Sequence, residues 1–311
     1  MGWFERFTLD DFDATGARIR YRRGGDGPPL LLLHGNPLTH ASWHKIADRL
    51  AERFTVVASD LRGYGDSSCP DDPGENYANH SFRAMAKDQV ELMEHLGFPS
   101  FQVAGHDRGA RTAHRMGLDH PERVERLALL DIVPTHHVWT RISKGWATGS
   151  WHWLFMIQPP DFPERMLGSV PAAWYMEKKL SKPGIGLAPF GERAFAEYVR
   201  CFDEKTIRGS CMDYRAAAGI DFELDSADFD AGRRLTRPAL ALWGTQGGVG
   251  KLYGDVLEVW RRYATDVIGR GLDCGHYVPE EAPDDVYAAF IDFFGADRQA
   301  VGTLGHMPAA R

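Results

Sequence analysis

Apolar residues along this chain fall into short dense runs separated by longer amphipathic stretches. Leu30-Leu31-Leu32-Leu33 after Pro28-Pro29, Thr55 to Ser59, Phe101-Gln102-Val103-Ala104, Leu127-Ala128-Leu129-Leu130 and Ala239-Leu240-Ala241-Leu242-Trp243-Gly244 read as strands buried on both faces. Ala17 to Arg23 alternates apolar with polar and predicts an edge strand. Between the runs, Trp43 to Phe54 and Leu252 to Tyr263 read as helical, and Pro283 to Phe294 as a closing helix. Phe82, Ala86, Val90, Met93 and Gly97 recur at the three-to-four spacing of an amphipathic helix. Strands alternating with helices predict an α/β protein with a mostly parallel sheet. From residue 135 to residue 234 the pattern changes to aromatic-rich helical segments broken by Pro159-Pro160, Pro171 and Pro183-Gly184. The chain therefore divides into a core of residues 1–134 and 235–311 and an inserted helical cap of residues 135–234. The Gly/Ala-rich tail from Arg298 to Arg311 reads as frayed.

One junction between strand and helix carries chemistry. Gly105-His106-Asp107-Arg108-Gly109-Ala110-Arg111 follows the Phe101 run and opens a helix-like stretch. Gly-x-nucleophile-x-Gly is the nucleophile elbow of the α/β-hydrolase fold, in which the glycines permit a strained turn that pushes one side chain out. Here that side chain is Asp107. A carboxylate is ionised at neutral pH, needs no base to activate it, and suits displacement at saturated carbon. The other members of a triad follow in the expected chain order. Asp131 ends the Leu127 run and is the candidate orienting acid, with Asp119 and Asp255 as rivals. His276, in the loop Cys274-Gly275-His276-Tyr277, is the candidate base. His40 and His44 have the spacing of a metal pair, but no HExxH context supports zinc. His34-Gly35-Asn36-Pro37 after the Leu30 run supplies loop N–H groups which, with that of Arg108, would form an oxyanion hole. Arg108 and Arg111, three apart at a helix N-terminus, would grip a carboxylate and present its α-carbon to Asp107.

These motifs, with Asp60-Leu61-Arg62-Gly63-Tyr64-Gly65, Trp151-His152-Trp153, Asp213-Tyr214-Arg215-Ala216 and Asp221-Phe222-Glu223, resemble the fluoroacetate (haloacetate) dehalogenases of the α/β-hydrolase superfamily over nearly the whole chain. The resemblance implies that Asp107 is the nucleophile, that Arg108 and Arg111 bind the substrate carboxylate, and that His152, Trp153 and Tyr214 bind the departing halide. Fluoride is small and basic, so its departure demands strong hydrogen-bond donors, which imidazole, indole and phenol provide. The chain departs from the family at Asn36, where an aromatic is usual; many haloalkane dehalogenases carry a halide-binding amide there. Those enzymes generally have tryptophan after the nucleophile, however, where this chain has Arg108.

The expected activity is conversion of fluoroacetate or related short 2-halo acids to 2-hydroxy acids, without metal or cofactor. Alternatives are an epoxide hydrolase or haloalkane dehalogenase, which share the Asp nucleophile, and a non-catalytic hydrolase-fold receptor. Composition sets outer bounds. At 311 residues and 43% hydrophobic content the chain is ample for one core plus a lid. A formal charge of −7 argues against nucleic acid as a partner and leaves the arginines to attract an anion locally. Cys69, Cys201, Cys211 and Cys274 lack metal-ligand spacing and read as reduced thiols, with a Cys201–Cys211 bridge left open. Met1 to Arg6 has no apolar signal core, and no stretch approaches the ~20 apolar residues of a membrane span. The expectation is a cytoplasmic enzyme, with a homodimer as its assembly.

Overall fold

The computed structural model describes residues 3–295 except 73, 75 and 183. The frayed-tail expectation from Arg298 onward and the break at Pro183 lie outside the described residues. Eight strands, β1 (Phe7–Asp13), β2 (Arg18–Gly24), β3 (Pro29–Leu33), β4 (Thr55–Ser59), β5 (Phe101–His106), β6 (Val124–Leu130), β7 (Ala239–Gly244) and β8 (Val267–Leu272), form one sheet. Their order is β1-β2-β4-β3-β5-β6-β7-β8. β1 and β2 run antiparallel to their neighbours and the rest are parallel, as the alternation of elements predicts.

Alternate residues of the central strands enter two separate apolar clusters, which is why their sequences are apolar without a gap. Leu31, Leu33, Val103, Leu127 and Leu129 face one cluster with the helices Phe82–His95 and Arg108–Asp119. Leu30, Leu32, Ala104, Ala128 and Leu130 face the other, with Trp43, Leu50 and the closing helix Pro283–Phe294.

Several expectations need correction. The segment from Ala17 is not the edge strand: β1 lies outside β2, and it escaped notice because Phe7–Asp13 contains three aspartates. It pairs because the neighbouring strand is rich in arginine, with Arg18 and Arg20 both bonded to Asp11. β8 is masked in sequence by Gly269 and Gly271; a Cβ at Gly269 would overlap the carbonyl of Ala241 in β7. Trp43 to Phe54 is only a 3-10 turn (His40–Trp43) and one short helix (Ala47–Leu50), and Leu252 to Tyr263 holds the end of one helix (Gly248–Leu252) and a second, Val256–Arg261. All four cysteines are free, which removes the Cys201–Cys211 bridge.

Between β6 and β7 the described residues form eight helices spanning Thr135 to Asp230. The insertion starts at the carboxyl end of β6, an interior strand, and this is the end of the parallel strands at which Asn36, Asp107, Asp131 and His276 emerge. Among the described residues no helix is long and apolar enough to cross a membrane.

Candidate active site

Asp107 joins β5 to the helix Arg108–Asp119 with φ 50° and ψ −114°, a conformation that a side chain rarely adopts. The surrounding glycines make room for it. A Cβ at Gly105 would overlap the carbonyl of Gly109, one at Gly109 would overlap the carbonyl of Leu33, and one at Gly35 would lie 2.5 Å from the Asp107 Cβ. Asp107 Oδ1 accepts the main-chain N–H of Asn36 at 3.0 Å. Its Oδ2 faces His276 Nε2 at 3.8 Å and accepts no hydrogen bond among the described residues. Burial acts to raise the Asp107 pKa, but His276, His106, Arg108 and Arg111 outweigh it and hold the carboxyl below its ordinary range.

Asp131 also has a positive φ, 51°, and its carboxylate is fixed on both oxygens. Oδ1 accepts the N–H of Gly244 at 2.8 Å, and Oδ2 meets His276 Nδ1 at 2.5 Å. A carboxylate can only accept, so the His276 proton lies on Nδ1 and the Nε2 lone pair points toward Asp107. Burial raises the Asp131 pKa, and the hydrogen bond from His276 opposes that shift. The rivals are occupied elsewhere: Asp119 pairs with Arg83, and Asp255 caps the helix Val256–Arg261. His40 binds Asp60 and Arg22 rather than forming a pair with His44.

The two arginines are not alike. Arg108 is fully buried and already paired: Nε donates to Asp213 Oδ2 at 2.8 Å, and Nη2 donates to Asp213 Oδ1 and to its carbonyl. Tyr64 donates to the same carboxylate at 2.5 Å. Of the Arg108 nitrogens, only Nη1 is buried without a partner among the described residues. Arg111 has no carboxylate partner among the described residues. Its Nη1 donates to the Val133 carbonyl at 3.0 Å and to Thr135 Oγ1 at 3.2 Å, and its Nε is buried without a partner. Burial, then Arg108, lower the Arg111 pKa, the signature of a guanidinium short of negative charge. Trp153 stacks at 4.8 Å from the Arg111 guanidinium, and Tyr214 at 4.1 Å from that of Arg108.

His152 and Trp153 come from the helix Trp151–Met156 and Tyr214 from Glu204–Ala218. The structure brings the three together, with Tyr214 centred 5.7 Å from His152 and 5.5 Å from Trp153, edge to face. Among the described residues neither the Trp153 indole nor the Tyr214 hydroxyl has a hydrogen-bond partner. Burial, reinforced by Lys179, holds His152 neutral, well below the usual histidine range. Asn36 directs its amide nitrogen to Ser210 Oγ at 3.1 Å, and its Oδ1 is buried without a partner.

A family model described as the alpha/beta hydrolase fold matches residues 28–283. The chain belongs to the α/β-hydrolase fold family. This hydrolase is 41% identical to a fluoroacetate dehalogenase of Burkholderia sp, over 96% of each chain. It is 34% identical to a soluble epoxide hydrolase of Corynebacterium sp. (strain C12), over 90% of this chain and 94% of that one. A solved α/β-hydrolase structure from Nostoc sp PCC 7120 superposes with a TM-score of 0.90 at 50% identity, covering 94% of this chain and all of that one.

Sequence reading of this hydrolase did not assign Asp213, Ser210 or Lys179. Asp213 lies in a quoted motif, but its pairing with Arg108 spans 105 residues and no spacing rule reports it. Lys179, half-buried on the helix Ala172–Leu180, has a pKa pulled down to about 7 by burial; Asp107 opposes the shift and Lys182 adds to it.

Proposed function

We propose that this hydrolase displaces halide from short 2-halo acids, fluoroacetate among them, through an ester on Asp107, with residues 135–234 as the cap that encloses the substrate. The observation that carries the reading is Arg111: a buried guanidinium without a carboxylate, beside an aspartate nucleophile and three neutral donors. The substrate carboxylate pairs with Arg111 and with the remaining Nη1 of Arg108. Asp107 Oδ2, without a hydrogen bond among the described residues, forms the new C–O bond as carbon–halogen breaks and the electron pair leaves with halide toward His152, Trp153 and Tyr214. Oδ1 then becomes the ester carbonyl, already held by the Asn36 N–H that stabilises charge growing on it.

In the second step His276 Nε2 takes a proton from water as its oxygen attacks the Asp107 carboxyl carbon. Asp131 stabilises the imidazolium. The 2-hydroxy acid leaves with that proton, and Asp107 is regenerated as the acid form, which releases the other water proton to solvent. The test is halide release from fluoro-, chloro- and bromoacetate, with the intact mass of His276→Asn after incubation. A trapped adduct is expected; halide release without any adduct refutes the ester. The phenol of Tyr214 and the epoxide hydrolase relative favour a second reading, epoxide opening. Inhibition by glycolate separates the two, because only a carboxylate-binding site predicts it.

A further inference from the structure

His276 sits on a loop whose main chain is gripped from both sides by groups outside the proposed chemistry. The two amides that flank it converge on one carboxylate: Gly275 N–H donates to Glu281 Oε2 at 2.6 Å, and Tyr277 N–H donates to Oε1 at 2.9 Å. Gly275 permits this approach, because a Cβ there would lie 2.6 Å from Glu281 Oε2. From the other side His106, fully buried, contacts the His276 carbonyl through Nε2 at 2.8 Å. A carbonyl only accepts, so the His106 proton is on Nε2. Burial, then the neighbouring His276, push the His106 pKa down to about 3, which keeps the ring neutral and this donor in place at working pH. A third constraint is steric: a Cβ at Gly244 would overlap the carbonyl of Gly275, so the loop rests directly on the end of β7. Lys182, from the helical insertion, lies 3.5 Å from Glu281 Oε1 and 4.6 Å from the centre of the Tyr277 ring.

We infer that Glu281 and His106 are positioning residues for ester hydrolysis: they hold the main chain of His276 so that Nε2 faces the side of Asp107 from which water attacks, and halide displacement does not depend on that grip. The inference rests on the Asp107 ester reading. Its physical basis is the division of labour in the site. Asp107 is already an anion and needs no base, whereas deprotonation of water demands a base placed to within a fraction of an ångström. Glu281→Gln is nearly isosteric but sets an amide NH2 against one of the two loop N–H groups. His106→Leu removes the donor to the His276 carbonyl, and His106→Gln returns a side-chain N–H.

Rapid-quench halide release from chloroacetate, followed with intact-protein mass spectrometry, tests this, with His276→Asn run in parallel. For Glu281→Gln the expected result is a first turnover at the wild-type rate and a burst of one halide per site; for His106→Leu, whose ring also bears on Asp107, it is the burst alone. Steady-state turnover then falls by about 10- to 100-fold while the ester accumulates. His106→Gln should recover most of the steady-state rate. Wild-type turnover in Glu281→Gln, or a slowed reaction with neither burst nor adduct, overturns the inference, since a merely structural loss slows both steps together. If His276→Asn traps an adduct and Glu281→Gln does not, only the positioning role fails; if His276→Asn traps none, the ester reading itself fails.

Discussion

Asp107, Asp131 and His276 project from the ends of strands, and the two carboxylates are held by main-chain N–H groups of Asn36 and Gly244. His152, Trp153, Tyr214 and Asp213 hang from helices of the insertion, where ring contacts and one buried ion pair hold them. The first region depends on backbone conformation, which glycine and chain order specify locally. The second depends on side chains meeting across the pocket, so its geometry is only as firm as its packing. A site built this way keeps Asp107 fixed while the wall formed by the inserted helices is open to change by substitution.

The sharpest break in that contrast is Asp107→Asn, which removes the proposed nucleophile and should lower halide release on the order of 10⁴-fold; turnover within tenfold of wild type would place the chemistry elsewhere. Asp213→Ala leaves the fully buried Arg108 unpaired and should cost about 3–5 kcal/mol in urea unfolding, far more than a helix-surface change. An unchanged midpoint would mean that the insertion is not anchored through this pair. Arg111→Leu should lower kcat/KM for haloacetates by about 10- to 100-fold, the worth of a hydrogen bond to a charged group, with a smaller loss of stability than Asp213→Ala. Equal stability losses in the two variants would erase the distinction between a paired and an unpaired arginine.

Trp153→Phe keeps the ring but loses the N–H, and should slow fluoroacetate about 10-fold more than chloroacetate, whose leaving group relies less on donors. Equal losses would assign Trp153 to packing alone. The smallest effect is one of pH. Because burial pulls the Lys179 pKa down to about 7, it loses charge as pH rises through that region, and KM for an anionic substrate should rise a few-fold there. Lys179→Gln should flatten that rise, and an identical profile in the variant would exclude Lys179.

Much of the fold was legible. β4, β7 and the closing helix Pro283–Phe294 occupy the residues that periodicity indicated, because continuous apolar runs and proline at the first helical turn are local signals. β1 and β8 were not, because one gains its stability from arginines on its neighbour and the other is disguised by glycines that its neighbour requires. In the site, elbow and triad order pointed to Asp107, Asp131 and His276, and the structure brings these three together. The sequence does not distinguish Arg108 from Arg111, since the carboxylate that pairs with Arg108 sits on a helix about a hundred residues away. Asn36 contacts Asp107 through its backbone N–H, a donor of the loop that the sequence indicated, while its side-chain amide donates to Ser210.

The amino-acid order alone determined which side chain is thrust out at the elbow, and that it is a carboxylate rather than a hydroxyl, because a strained turn between two glycines is written in neighbouring residues. Which guanidinium lacks a carboxylate, and which groups grip the loop of His276, were decided only when distant helices and loops packed together. Desolvation, ion pairing and main-chain contacts depend on distances in space, and those distances are set by the whole fold.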